Sequence, residues 1–102
     1  MEHELLHARY FASESYRQAV GDFWRETLSE EQRGLIRREF GTQFNARNED
    51  LMINEFQAYL LQSRPPLWLT GLRGLLRPRL LEHLAARGEP PNVFVRHWRV
   101  SL

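Results

Sequence analysis

The sequence contains no cysteine, and this absence excludes two kinds of site. Neither a disulfide framework nor a thiolate metal site can form, so a bound metal would need histidine, aspartate or glutamate ligands. The chain also lacks an apolar run of about 18 residues, which a membrane-spanning helix requires, and lacks the apolar region of a signal peptide near its start. We therefore expect no membrane partner, with the cytoplasm as the default compartment.

A large excess of one charge is also missing. The chain has 14 basic and 13 acidic side chains, a balance that gives no overall attraction to nucleic acid or anionic membrane. We therefore expect no nucleic-acid partner. With 102 residues, 42% of them hydrophobic, the chain can bury one modest core. Residues 1–102 are accordingly expected to form a single domain or part of one.

Apolar residues recur at helical spacing from the start of the chain to about residue 87. The spacing predicts helices over about 2–11 and 15–28, a third that Ser29 caps, and a fourth that Asn48 caps and the segment SRPP ends. The expected fold class is therefore mainly α, with residues 1–63 forming four helices.

The second part of the chain, residues 64–102, is predicted to contain a C-terminal helix and an extended tail. Gly71, Gly74 and Pro78 are expected to break this helix, and Gly88 to end it. The tail VFVRHWRV alternates apolar and polar residues and could form a single strand, for which the sequence shows no partner strand.

The first residues match the pattern H-E-x-x-H, with His3, Glu4 and His7 at its fixed positions. Residues four apart on a helix lie on one face, with Cβ atoms roughly 5–6 Å apart, so both imidazoles can bind one ion. Glu4 can take a proton from a metal-bound water, whose pKa zinc lowers from about 15.7 to about 7. The pattern predicts a zinc site with Glu4 as general base. The alternative is a surface turn with two solvated histidines.

Such a site needs a third protein ligand, and Glu55 is the candidate. At about 100° per residue, Glu55 falls on the apolar face of the predicted fourth helix, between Leu51 and Tyr59. A carboxylate there is costly to bury unless it is paired, hydrogen-bonded or bound to a metal. The alternative is an ion pair with an arginine. Glu49 and Asp50 are rival ligands, but the helix dipole explains acidic residues in a first turn.

The segments HELLHARYF and NEDLMINEFQAYL together resemble the gluzincin metallopeptidases, and more narrowly an uncharacterised group of bacterial zinc-peptidase-like proteins with similar motifs. The resemblance spans roughly residues 2 to 62. It implies a zinc ion held by His3, His7 and Glu55, with Glu4 as general base and acid, and hydrolysis of a peptide or protein substrate. The alternative function is a non-enzymatic helical interaction module or a peptidase remnant.

The resemblance also implies a β-sheet before the active-site helix, whose edge strand pairs with the extended substrate. No such segment precedes His3 in this sequence. We therefore expect a zincin-like helical subdomain, either the C-terminal part of a longer peptidase or a reduced protein. Self-association or an N-terminal partner segment would cover the face on which the sheet belongs.

Three further side chains could take part in the chemistry. His97 could donate a hydrogen bond to the transition state, although an exposed histidine is the simpler interpretation. Tyr59 could donate to an oxyanion, although an aromatic residue at that spacing usually belongs to the core. His83 is expected at the surface. The basic amphipathic segment of residues 73–87 is interpreted as a solvated face over a packing stripe.

Overall fold

A computed structural model of the chain describes residues 2–41, 45, 47–64, 66 and 69–90. The helices are α1 (Glu2–Ala12), α2 (Glu14–Asp22), a π-helix (Phe23–Thr27), α3 (Glu30–Phe40), α4 (Glu49–Leu61) and α5 (Thr70–Ala86). The prediction of a mainly α fold is confirmed, and no strand occurs within these ranges. The predicted tail strand and His97 lie outside the described residues.

Helix α4 lies at the centre of the fold. Most of its residues are buried, on all sides of the helix, as expected for a helix surrounded by others. It packs against α1, α2, α3 and α5. Side-chain bonds join Tyr10 to Asp50 near one end of the α1–α4 pair and His3 to Gln62 near the other. Helices α1 and α4 therefore run antiparallel.

Aromatic side chains fill the core between α2, the π-helix and α4. Phe56 stacks on Phe23 with ring centroids 6.3 Å apart and meets Trp24 edge-on at 5.3 Å. The largest fully buried aromatic side chains are Trp24, Tyr10, Tyr16, Phe23, Phe40 and Phe56. Burying side chains of this size contributes strongly to the hydrophobic stabilisation of so short a chain.

Side-chain caps begin three of the helices. Ser13 accepts a hydrogen bond from the Tyr16 amide, and Asn48 accepts one from the Leu51 amide. Ser29 and Gln32 form the predicted capping box at the start of α3. The predictions of Ser29 and Asn48 as N-caps are confirmed. The sequence could predict them because a cap depends only on residues that are neighbours in the chain.

The predicted helix over residues 15–28 differs from the structure in its second half. Helix α2 passes into the π-helix, in which the Leu28 amide bonds to the Phe23 carbonyl at 3.1 Å. Arg33 then donates to the carbonyls of Trp24 and Leu28 at 2.9 and 2.7 Å, which satisfies groups that a helix end leaves unpaired. Because Arg33 belongs to α3, local periodicity could not predict this ending.

The prediction of a broken helix after residue 67 is wrong. Helix α5 is continuous from Thr70 to Ala86 with Pro78 inside it. Pro78 and Gly74 are both exposed, so water can bond to the Gly74 carbonyl that proline leaves unpaired. Three buried leucines hold the helix against the core, namely Leu76, Leu80 and Leu84. Gly88 follows with φ +74°, which confirms the predicted helix end.

The surface of the described residues bears on the expected partners. No helix in this part of the chain has the length and apolar character to cross a membrane. The exposed large apolar side chains there are Phe11, Leu35 and Leu75, which lie on three different helices. Self-association and an N-terminal partner segment stay predictions.

We expect Phe56→Ala to lower the free energy of unfolding by about 3–5 kcal/mol, because it leaves a cavity between Phe23 and Trp24. Phe11→Ala is the matched control. Its ring is 70% exposed, so the change should stay within about 0.5 kcal/mol. Urea denaturation followed by circular dichroism measures both. Equal effects of the two substitutions would contradict the described core.

Candidate metal centre

Helix α1 brings His3 and His7 together. The two residues lie one turn apart on the same face, and their imidazole rings meet edge-on with centroids 4.6 Å apart. Their Nε2 atoms are 3.0 Å from each other. Leu6 stands between the two histidines in the sequence. Its buried side chain holds this turn of α1 against the core. The predicted meeting of the two imidazoles is therefore present in the structure.

Helix α4 supplies the third side chain of the cluster. Glu55 Oε1 lies 3.0 Å from His7 Nε2 and 3.4 Å from His3 Nε2. The residue is only 7% exposed, and its Oε1 atom accepts no hydrogen bond from the described residues. A buried carboxylate oxygen without a hydrogen bond is costly. Binding to a cation would offset that cost.

The orientation of His3 is set by Gln62, the residue that follows α4. The Gln62 side chain donates through Nε2 to the Arg64 carbonyl at 2.8 Å, so its oxygen faces away from that carbonyl. This oxygen lies 2.7 Å from His3 Nδ1. Because an amide oxygen only accepts, His3 Nδ1 carries a proton, and in the neutral imidazole the lone pair of Nε2 then faces Glu55.

The second histidine has an equivalent partner. His7 Nδ1 lies 2.8 Å from Asn54 Oδ1, so the imidazole donates from Nδ1 to an amide oxygen. Metal-bound histidines usually donate their other ring N–H to a neighbouring oxygen, which fixes the tautomer and the ring plane. Both histidines of this cluster have that arrangement.

These contacts test whether the cluster suits a metal. Two imidazole nitrogens and one carboxylate oxygen converge, and one ligand atom from each of His3, His7 and Glu55 lies within 4.8 Å of the others. When both imidazoles are neutral, all three atoms present lone pairs, and such atoms repel one another unless a cation lies between them. The cluster could therefore hold a metal ion, and its nitrogen and oxygen donors suit a first-row divalent metal.

The cluster is reachable from solvent. The side chains of His3 and His7 are 31% and 23% exposed, whereas that of Glu55 is 9% exposed. The ring of Tyr59 packs against His3 with centroids 4.6 Å apart. Burial and the negative charge of Glu55 raise the pKa of the Tyr59 hydroxyl. A ligand could thus approach from the histidine side, beside a protonated tyrosine.

The proposed general base, Glu4, is not one of the three converging side chains. Its side chain is exposed on the first turn of α1, and within the described residues it forms no hydrogen bond or ion pair. By contrast, the two acidic residues at the start of α4 are bonded. Glu49 accepts from Trp24 Nε1 at 2.9 Å, and Asp50 accepts from the Tyr10 hydroxyl at 2.6 Å.

The helix-dipole explanation of Glu49 and Asp50 is therefore incomplete. The hydrogen bond from Trp24 lowers the pKa of the Glu49 carboxyl, with a further contribution from Arg37. Burial and the bond to Asp50 raise the pKa of the Tyr10 hydroxyl. Both acidic residues fasten the start of α4 to other helices, which no local pattern could show.

The two polar residues that hydrogen-bond to the histidines of the cluster were not identified from the sequence. Asn54 stands directly before Glu55 on the most buried helix, and a second polar residue there was an available signal. Gln62 follows the end of α4, where a glutamine is unremarkable. His83 is partly exposed, as predicted, but it also donates from Nε2 to the Ala19 carbonyl at 2.8 Å.

Contacts at the C-terminal end of α4 hold the cluster in place. Glu2 accepts from the Ser63 amide at 2.6 Å and from its hydroxyl at 2.9 Å, which ties the start of α1 to this end. Arg73 of α5 donates to the carbonyls of Leu60 and Gln62 at 3.1 and 2.5 Å. These bonds satisfy the last carbonyls of α4 and fix the backbone beside His3.

Comparisons with protein-family models, curated proteins and solved structures give no match. The interpretation of the cluster therefore depends on its own geometry and on the motif that led to it.

We expect zinc to raise the free energy of unfolding of the wild-type protein by about 2.7 kcal/mol at 100 times its dissociation constant. Glu55→Gln should remove this effect, because it replaces the anionic ligand with a neutral amide of the same shape. Glu49→Gln, on the same helix, is the matched control and should bind zinc as the wild type does. Chemical denaturation with and without zinc measures the difference. Wild-type zinc affinity in Glu55→Gln would exclude Glu55 as a ligand.

Proposed function

We propose that this protein is a zinc-dependent metallopeptidase of the gluzincin type. The observation that carries the proposal is the convergence of His3 Nε2, His7 Nε2 and Glu55 Oε1, with both Nδ1 atoms held by amide oxygens. The histidines come from an H-E-x-x-H sequence, and the glutamate comes from a separate helix. This is the ligand set expected from the resemblance to gluzincins.

The number of ligands favours catalysis over a structural role for the metal. Structural zinc sites usually have four protein ligands, whereas catalytic sites have three and leave one position for water or substrate. Within the described residues, the cluster has three such side chains and partly exposed histidines. When bound, zinc would act as a Lewis acid that polarises a carbonyl and makes water nucleophilic near neutral pH.

Glu4 is assigned the proton transfers. Its exposed carboxylate follows His3 directly and is free of other partners among the described residues, so it is available to a substrate. In peptide hydrolysis, a bond forms between the water oxygen and the carbonyl carbon, and the C–N bond breaks. Glu4 would accept a proton from the water and deliver it to the departing amine.

We expect Glu4→Gln to abolish peptide hydrolysis while leaving zinc affinity within about twofold, because an amide cannot accept the proton and Glu4 is not a ligand. Glu31→Gln, an exposed glutamate in the first turn of α3, is the control and should retain activity. Digestion of an unfolded protein with zinc present, followed by mass spectrometry, detects cleavage.

Cleavage that survives in Glu4→Gln, or zinc binding that is lost with it, would contradict the role assigned to Glu4. Zinc binding without cleavage by the wild-type protein would favour the other candidate, a helical interaction module that keeps the metal site. Absence of zinc binding would exclude a zinc peptidase and leave the interaction module without a metal.

A further inference from the structure

Gln57 is a fully buried amide, two residues beyond Glu55 on α4. It is bonded to three helices. Its Nε2 donates to the Leu6 carbonyl of α1 at 3.0 Å and to Asn54 Oδ1 at 3.1 Å, and its Oε1 accepts from the Tyr16 hydroxyl of α2 at 2.6 Å. Every polar atom of this side chain therefore has a partner, as a buried amide requires.

The direction of these hydrogen bonds is determined by the Leu6 carbonyl. A backbone carbonyl only accepts, so the NH₂ group of Gln57 must face it, and the oxygen must face Tyr16. The second hydrogen of the NH₂ group points to Asn54. The group that Asn54 presents to Gln57 must then be its oxygen, because two NH₂ groups cannot bond to each other without an acceptor.

The same Asn54 oxygen also lies 2.8 Å from His7 Nδ1. With its oxygen turned to this side by Gln57, Asn54 can only accept from His7. Neutral His7 must therefore carry its proton on Nδ1, which leaves the lone pair of Nε2 directed at Glu55 and His3. The series of bonds begins at Leu6 and ends at His7, so adjacent residues of α1 are connected through α4.

We propose that Gln57 is a positioning residue that selects the metal-binding tautomer of His7 by fixing the orientation of the Asn54 amide. The inference deepens the proposed function and depends on His7 being a metal ligand. His3 has a separate connection, through Gln62 to the Arg64 carbonyl, and does not depend on Gln57. It therefore serves as an internal control in every variant.

The test uses Gln57→Met, which keeps a similar length and removes the amide. Without the donor from residue 57, the Asn54 amide can turn its NH₂ group toward His7, and the His7 proton then moves to Nε2. We expect zinc affinity to fall by about 10- to 100-fold, the range found when outer-shell partners of metal ligands are removed. Zinc affinity is measured by competition with a chromophoric chelator.

Asn54→Asp in the Gln57→Met background should restore zinc affinity to within about threefold of the wild type. A carboxylate has no N–H group, so it can only accept from His7 whichever way it turns. Tyr16→Phe is the matched control, because it removes another bond of the same buried amide while Leu6 still sets the amide direction. It should lower the stability of the fold and leave zinc affinity unchanged.

Nitrogen NMR of the metal-free protein at alkaline pH reads the tautomers directly. We expect the proton on Nδ1 of both histidines in the wild type, and a change at His7 alone in Gln57→Met. A wild-type His7 with its proton on Nε2 would overturn the proposal, even if Gln57→Met fails to fold. So would an unchanged zinc affinity in folded Gln57→Met, or a loss that Asn54→Asp does not restore. A wild-type protein with the expected tautomers but no zinc binding would instead contradict the proposed function.

Discussion

Three polar side chains, Asn54, Glu55 and Gln57, are buried within one turn of the central helix, and the rest of the fold must satisfy them. A buried polar group without a partner costs about 1–3 kcal/mol, and a buried charge costs more. For a chain of this size, such costs are comparable to the whole free energy of folding. The partners come from α1 and α2, so these helices can pack on α4 only in the register that supplies them.

The two ends of α4 fix this register from outside the cluster. At the start, Trp24 and Tyr10 donate to Glu49 and Asp50. At the other end, Arg73 bonds to the Gln62 carbonyl, and Glu2 bonds to Ser63. Helix α1 forms a hydrogen bond at each end of α4, from Tyr10 to Asp50 and between Glu2 and Ser63. A shift of α1 by one turn would break both bonds. The turn that holds His3 and His7 therefore lies opposite Glu55.

The side chains of the cluster are held firmly in place, but Glu55 Oε1 has no hydrogen-bond partner among the described residues. This combination favours a metal-binding role over a structural one. The outer atoms of each imidazole have well-defined amide acceptors, whereas the three inner atoms present lone pairs to one another when both rings are neutral. Evolution for stability alone would favour replacing such a group with apolar side chains. A cation at the centre would turn the mutual repulsion into attraction, and metal binding would then be coupled to folding.

The sequence by itself determined the helical class and the N-caps at Ser29 and Asn48, and it pointed to His3, His7 and Glu55 as candidate metal ligands. Caps depend on residues three or four apart, the two histidines share a helix turn, and a glutamate on an apolar stripe is conspicuous in the periodicity. Only the tertiary structure decided that Glu55 meets the histidines and that Gln62 and Asn54 orient them. It also decided that α5 runs through Pro78 and that α2 ends as a π-helix. Those outcomes depend on contacts between residues far apart in the chain, which local spacing does not contain.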